Sequence, residues 1–249
     1  MKRPVVILTA LDLEYDAVRR HLTDIRPHVH HAGTRFETGR VADGTCRVVL
    51  GLVGKGNGSS AVIAERAMTE FDPPAVLFSG VAGGLWPGIA LGDIVVASHV
   101  YAYHGGTSED DGLKSRPRAW DIPHAADQIA HHLHRSGEWA RRRTAGTPLP
   151  TVRFGPIAAG EVVLDSVTSA EADWIRRHYN DAVAVEMEGA AVAQVCHDYG
   201  IPFAAMRTIS DRADDTAHAD FPKFVSEVAS RYALAILDGF MRELKTQQG

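Results

Sequence analysis

The sequence has few cysteines, no long apolar run and no excess of positive charge, and each absence argues against a class of protein. Cys46 and Cys196 are its only cysteines and form no CxxC pattern, which disfavours a disulfide framework or a zinc site. No stretch approaches the roughly 18 apolar residues of a membrane-spanning helix. The formal net charge of -5 disfavours general nucleic-acid binding. A small-molecule substrate is the better expectation.

The N-terminal residues also lack the features of a signal peptide. The apolar run that begins at residue 4 is short and is broken by Asp12. A secretory signal carries a longer apolar segment followed by a cleavage site. We therefore expect the chain to be cytoplasmic.

What the sequence contains is an alternation of strands and helices, which is typical of an α/β protein. A chain of 249 residues, of which 45% are hydrophobic, can bury one sizeable core. Apolar runs predict seven strands, at residues 4–9, 47–52, 75–78, 94–97, 151–157, 183–185 and 203–209. Helical spacing predicts helices at residues 11–22, 60–71, 125–136 and 224–240. We expect a single domain over residues 1–249, with an irregular insertion around residues 104–150.

Carboxylates follow three of these predicted strands at the points where the strands end. Glu14 follows the first strand, Glu186 and Glu188 follow the sixth, and Asp211 follows the seventh. The last two strands are apolar enough to be buried in a parallel sheet, and ligands bind beyond the carboxyl ends of such strands. We therefore expect the four acids to lie together, where acid/base chemistry or recognition of hydroxyl groups is possible.

The segments around these acids resemble a known family. VEMEGAA at 185–191, RTISDRAD at 207–214, TALDLE at 9–14 and SGVAGGL at 79–85 are similar to the purine nucleoside phosphorylase and nucleosidase superfamily. The closest resemblance is to the methylthioadenosine/S-adenosylhomocysteine nucleosidases. It implies one α/β domain with a mixed, partly barrel-like central sheet flanked by helices, which cleaves a purine N-glycosidic bond. It also implies a homodimer, no metal and no other cofactor.

The resemblance implies a role for each matching position. Asp211 matches the general acid that donates a proton toward N7 of the leaving purine, and Glu14 matches the carboxylate that activates the attacking water. Glu188 matches the residue that holds the ribose hydroxyls. The remaining positions match residues around the substrate or beside the acids: Met187 against the sugar and base, the backbone of Val163 and Leu164 at the base edge, Phe221 on the 5′ substituent, and Ser210 and Arg207 as partners that orient the acids.

General chemistry supports the same reaction. A purine leaves poorly as an anion, so protonation by a positioned acid accelerates its departure by about 10²- to 10⁴-fold. Carboxylates stabilise the cationic, oxocarbenium-like transition state. A phosphorylase needs cations or helix N-termini to hold phosphate, whereas the first strand is followed by Asp12 and Glu14 and by no arginine before Arg19. The sequence therefore favours hydrolysis, although Lys55 in a glycine turn leaves a phosphate site open.

Several positions depart from the nucleosidase pattern and leave the substrate open. Val81 replaces a small hydroxyl residue of the glycine-rich loop, and Val163 stands where an aromatic side chain often stacks on the base. His104 follows the fourth strand, where it could line the site or be an ordinary loop residue.

The middle of the chain suggests a second kind of substrate. Lys114, Arg116 and Arg118 could bind phosphates, because arginine matches phosphate geometry, or could form a solvated loop. An adenine nucleotide such as AMP or ATP is therefore an alternative substrate. The sequence is also compatible with a nucleoside phosphorylase and with a nucleoside-binding module without turnover.

Overall fold

The computed structural model describes residues 3–41, 46–110, 112–137, 150–166 and 168–211. Within these residues the chain forms twelve strands and five helices. The strands are β1 (Val5–Thr9), β2 (Leu22–Val29), β3 (Arg35–Val41), β4 (Arg47–Leu52), β5 (Val76–Gly84), β6 (Ile94–Ala102), β7 (Gly106–Glu109), β8 (Gly112–Ser115), β9 (Arg118–Asp121), β10 (Val152–Ala159), β11 (Ala184–Glu186) and β12 (Phe203–Asp211). The helices are α1 (Asp12–Arg19), α2 (Asn57–Phe71), α3 (His124–Ser136), α4 (Ala170–His178) and α5 (Gly189–Asp198).

Most of the strands form one mixed sheet. Within the described ranges the order is β11-β10-β6-β12-β5-β1-β4-β3-β2, and β9 pairs with β6. β1 is parallel to both of its neighbours, β4 and β5. β3 is antiparallel to both β2 and β4. β11 pairs with β10 on one side and with β5 on the other, so the five strands β11, β10, β6, β12 and β5 close into a ring. The predicted mixed, partly barrel-like sheet is confirmed.

The core lies between the sheet and the helices that cover it. β1 is buried along its whole length, which explains why it reads as a continuous apolar run. α2, predicted at 60–71, packs inward through Ala64, Ala67 and Met68. α5 packs beside α2 and buries Val192, Ala193 and Cys196. No helix in the described ranges is both long and apolar enough to cross a membrane.

Several elements of the fold, α4 among them, are not in the sequence prediction. β2 and β3 are not predicted. β2 is the last strand of the sheet and most of its side chains are exposed, so its sequence contains no apolar run. In the segment predicted to be irregular, the β7–β8 hairpin and β9 are not predicted, whereas α3 confirms the helix predicted at 125–136. β7 is exposed at all four positions, and its polar sequence GTSE gives no strand signal. The predicted helix at 224–240 lies outside the described residues, and the single domain stays a prediction.

Candidate active site

A cavity of about 170 Å³ lies where β1 and β11 end, beside β5. Its wall combines carboxylates with apolar side chains, a mixture suited to an organic ligand that carries a few polar groups. Eight of the predicted site residues line this cavity: Glu14, Val81, Val163, Leu164, Glu186, Met187, Glu188 and Ser210. The other lining residues are Ala10, Leu11, Lys55, Ala82, Gly83, Val162 and Val185.

Glu14 is fixed in this wall by backbone donors. It lies in the first turn of α1, where its Oε2 accepts hydrogen bonds from the N–H groups of Ala10 (2.8 Å) and Leu11 (3.0 Å). Its Oε1 accepts a third bond from the N–H of Val81 on β5 (2.8 Å). Burial raises the pKa of Glu14, while the charge of Arg207 and the three N–H groups act in the opposite direction. The result is a rigid carboxylate that binds a proton more readily than an exposed glutamate.

Glu188 faces the same cavity from the start of α5. Its Oε1 accepts a hydrogen bond from the N–H of Gly56 (2.9 Å), in the loop between β4 and α2. Burial and the negative charge of Glu186 raise the pKa of Glu188 to about 7, against the opposing effects of the Gly56 N–H and of Arg207. Glu188 therefore takes up a proton more readily than an exposed glutamate, and in its protonated form it can also donate a hydrogen bond.

Glu186 and Arg207 form a buried ion pair behind the cavity. Nη2 of Arg207 donates to Oε2 of Glu186 at 2.9 Å, and each side chain is only 2% exposed. The N–H groups of Glu188 and Gly189 also donate to Glu186, so its oxygens are well supplied with donors. Nη1 of Arg207 donates to the carbonyl of Phe78. Glu186 therefore holds the chain at the start of α5, and Arg207 supplies positive charge near the two other acids.

β12 and the loop after β10 also contribute to the wall of the cavity. Ser210 lines the cavity, and its hydroxyl lies 3.5 Å from the carbonyl of Ala82. Asp211 is the last residue of β12 and is in register with Gly83, another lining residue. Val163 is 65% exposed at the mouth. The side chain of Asp211 and the whole of Phe221 lie outside the described part of the structure.

Two predictions about the middle of the chain do not match this site. His104 does not line the cavity: its Nε2 lies 3.1 Å from Glu171, and its Nδ1 accepts a hydrogen bond from the N–H of Glu161. The reason is that the chain turns away at the end of β6, so His104 lines a separate cavity of about 180 Å³. Arg118 lines that second cavity too, with its guanidinium over the ring of Trp120.

The other two basic residues are also elsewhere. Arg116 lies 3.6 Å from Glu109, and Lys114 is opposite Thr107 in the β7–β8 hairpin. Neither residue lines the cavity that holds Glu14. All three basic residues therefore lie outside the cavity that holds Glu14.

Sequence reasoning missed part of the cavity wall. The N–H donors to Glu14 and Glu188 come from backbone, which no residue type reveals. Lys55 lines the cavity. From the sequence alone it is identified only as a residue that leaves phosphate binding possible. The glycines on both sides of Lys55 were the available signal, because a residue between two glycines lies in an unusual turn.

Comparison with known proteins gives a consistent result. A family model described as the phosphorylase superfamily matches residues 4–242. The 5′-methylthioadenosine/S-adenosylhomocysteine nucleosidase of Haemophilus ducreyi is 30% identical over 247 residues, covering 96% of this chain and 100% of the relative. The nucleosidase of the same name from Geobacillus thermodenitrificans is 31% identical over 243 residues, covering 93% of each chain.

A solved structure extends the comparison to the fold. The 5′-methylthioadenosine/S-adenosylhomocysteine nucleosidase of Neisseria meningitidis, in complex with methylthio-immucillin-A, superposes with a TM-score of 0.78 at 26% identity. The match covers 96% of this chain and 99% of that one. The resemblance seen in the sequence motifs is thereby confirmed: the chain belongs to the phosphorylase superfamily.

Proposed function

We propose that this chain is a purine nucleosidase, which hydrolyses the N-glycosidic bond of an adenine nucleoside such as methylthioadenosine or S-adenosylhomocysteine. The observation that carries the proposal is the pair of buried carboxylates, Glu14 and Glu188, facing one cavity with pKa values raised by burial. Two relatives of that name that cover nearly the whole chain support the same activity.

Glu14 is the candidate base in this mechanism. Its raised pKa lets it accept a proton from water as the water attacks the anomeric carbon. Its three backbone bonds hold both oxygens in place, so no reorganisation is needed when charge develops. Glu188 is assigned to the ribose hydroxyls, and its charge stabilises the oxocarbenium-like transition state. Asp211 completes the proposal as the acid that protonates N7 of the base.

The contacts of Glu14 favour water over phosphate as the nucleophile. Phosphate sites are commonly built from backbone N–H groups and cations. The N–H groups of Ala10, Leu11 and Val81 are already directed at the carboxylate of Glu14. A phosphate placed there would meet negative charge and find these donors occupied. Hydrolysis follows more directly from this geometry than phosphorolysis.

A cytoplasmic homodimer stays a prediction from the sequence and its resemblance. An adenine nucleotide remains the alternative substrate. Lys55 lines the cavity and residues 114–118 do not, so Lys55 is the better candidate to bind its phosphate in that alternative. The binding module without turnover is tested by the same assay as the enzyme.

The test is chromatographic detection of free adenine after incubation with methylthioadenosine, S-adenosylhomocysteine, adenosine and AMP, each with and without phosphate. We expect adenine release that does not require phosphate, and a loss of about 10²-fold or more in Asp211→Asn with nucleoside binding retained. Adenine release that depends on phosphate would show a phosphorylase instead. Tight nucleoside binding without release would show a binding module.

Gly80→Ala tests the position of Glu14 without changing its chemistry. A Cβ on Gly80 would lie 2.7 Å from Oε1 of Glu14 and 2.9 Å from its carboxyl carbon. The carboxylate cannot move away without losing backbone bonds, so we expect turnover to fall by about 10- to 100-fold. The matched control is Gly58→Ala in α2, where a Cβ meets no atom within 4 Å. Equal turnover in the two folded variants would contradict the assignment of Glu14.

A further inference from the structure

Lys55 is the only lysine or arginine among the described residues that line the cavity. Its side chain is exposed at the cavity wall. The ion pairs within the described ranges do not include Lys55. The same wall carries three carboxylates, Glu14, Glu186 and Glu188. Without Lys55 the described wall would present no lysine or arginine to a ligand.

The main chain around Lys55 is held in place, so its position in the wall is defined. The flanking glycines Gly54 and Gly56 have φ values of +74° and +89°, a conformation that other residues rarely adopt. The N–H of Gly56 donates to Glu188. The side chain of Asn57 bridges the carbonyl of Gly160 (2.8 Å) and the N–H of Ala191 (3.0 Å). This loop is therefore tied to the segments that carry Glu188.

The order of the strands places Lys55 and Asp211 at opposite ends of the site. Asp211 ends β12, and Lys55 follows β4; β5 and β1 lie between these two strands. Neighbouring strands are about 4.8 Å apart, so the two exits are separated by three spacings, or roughly 14 Å. Glu14 follows β1, between them. If the base lies at Asp211 and the glycosidic bond at Glu14, Lys55 lies on the ribose side of the site, beyond Glu14, where the 5′ substituent is also attached.

We propose that Lys55 is a specificity-determining residue, whose ammonium binds an anionic group on the 5′ substituent of the substrate. The group is a carboxylate, as in an amino-acid tail, or a phosphate, since a lysine ammonium attracts either as a point charge. This inference rests on the proposed nucleosidase function and adds the substrate class. Lys55 offsets the repulsion that the wall carboxylates exert on such a group. Nucleosides with an uncharged 5′ substituent gain nothing from this contact.

The experiment measures kcat/KM for adenine release with three substrates in wild type, Lys55→Met, Lys55→Arg and Lys114→Met. Methylthioadenosine has an uncharged 5′ substituent, S-adenosylhomocysteine carries a carboxylate, and AMP carries a phosphate. The readout is the ratio of kcat/KM for S-adenosylhomocysteine, or for AMP, to that for methylthioadenosine within one variant. Losses common to all substrates, such as partial unfolding, cancel in this ratio.

We expect the ratio to fall about 10-fold in Lys55→Met, through KM, for S-adenosylhomocysteine or for AMP, and the substrate affected identifies the anion. Lys55→Arg should retain the ratio, because it keeps the charge. Lys114→Met removes a lysine that lies outside the cavity and should retain the ratio too.

Three results would overturn the inference: unchanged ratios in Lys55→Met, an equal fall in Lys114→Met, or an equal fall in Lys55→Arg. Release of adenine from methylthioadenosine by wild type would leave the proposed function standing in each case. No release from any substrate by wild type would overturn the proposed function itself, and the assignment of Lys55 with it.

Discussion

Replacing Glu14 by glutamine is expected to lower kcat for adenine release by about 10³-fold, within the range of general acid–base effects. Glutamine has nearly the same shape, but its amide cannot take a proton from the attacking water. The Kd for the nucleoside should change little, since the water rather than the substrate contacts Glu14 in the proposed mechanism. Single-turnover kinetics and equilibrium binding of methylthioadenosine separate these two quantities.

The contacts of Glu14 also predict how the glutamine amide is oriented. Oε2 accepts two N–H bonds and Oε1 accepts one. Since an NH₂ group cannot accept, the amide oxygen should occupy the Oε2 position and the NH₂ group should face the N–H of Val81. Losing that single bond in a buried site should lower the free energy of unfolding by about 1–3 kcal/mol. The variant should therefore remain folded during the assay.

Glu109→Gln is the matched control for this substitution. Glu109 ends β7, is exposed, and does not line the cavity. The same chemical change there should leave kcat near the wild-type value. If folded Glu14→Gln retained kcat within tenfold of wild type, Glu14 would not be the base, and the cavity would need another group to activate water.

Three of the four acids that the sequence singles out, Glu14, Glu186 and Glu188, line the cavity, and each lies at or just after the end of a strand. Strand ends are local features: an apolar run stops and a carboxylate comes next, as at Glu14 after β1 and Glu188 after β11. In a parallel sheet these ends meet at one edge, so local patterns predict a long-range cluster. Eight of the twelve predicted site residues lie around one cavity. The expected parallel sheet is mixed, however: β11 is antiparallel to β5, with Val185 opposite Gly83, and this pairing brings the end of β11 to the side of β5 that carries Val81.

What the sequence could not predict depends on contacts between distant segments. The position of Glu14 is set by the N–H of Val81, 67 residues away, and that of Glu188 by the N–H of Gly56, 132 residues away. Backbone donors have no sequence signature. The need for glycine at position 80 is similarly hidden, because only the approach of the Glu14 carboxylate excludes a side chain there. His104 follows a strand, yet β6 directs it to a different cavity.

The Glu186–Arg207 pair shows how stability and the electrostatics of the site depend on the same residues. Arg207 lies within an apolar strand, where a lone charge would be strongly unfavourable. Glu186 at 2.9 Å and the carbonyl of Phe78 satisfy its guanidinium, which also lies over the Phe78 ring at 3.8 Å. The same positive charge acts against the raised pKa of both Glu14 and Glu188. Removing it would push both carboxyl groups further toward their protonated forms at neutral pH.

Arg207→Met is therefore expected to lower the free energy of unfolding by about 3–5 kcal/mol, since it leaves the buried carboxylate of Glu186 without its cation. Urea-induced unfolding measures this change. Adding Glu186→Gln removes the unpaired charge, so the double variant should be less destabilised than the sum of the two single variants. Arg19→Met breaks the more exposed pair with Glu37, and its stability should stay near that of wild type. If Arg207→Met were as mild as Arg19→Met, the buried pair would not be what holds β12 against the start of α5, and the low exposure of both side chains would need another explanation.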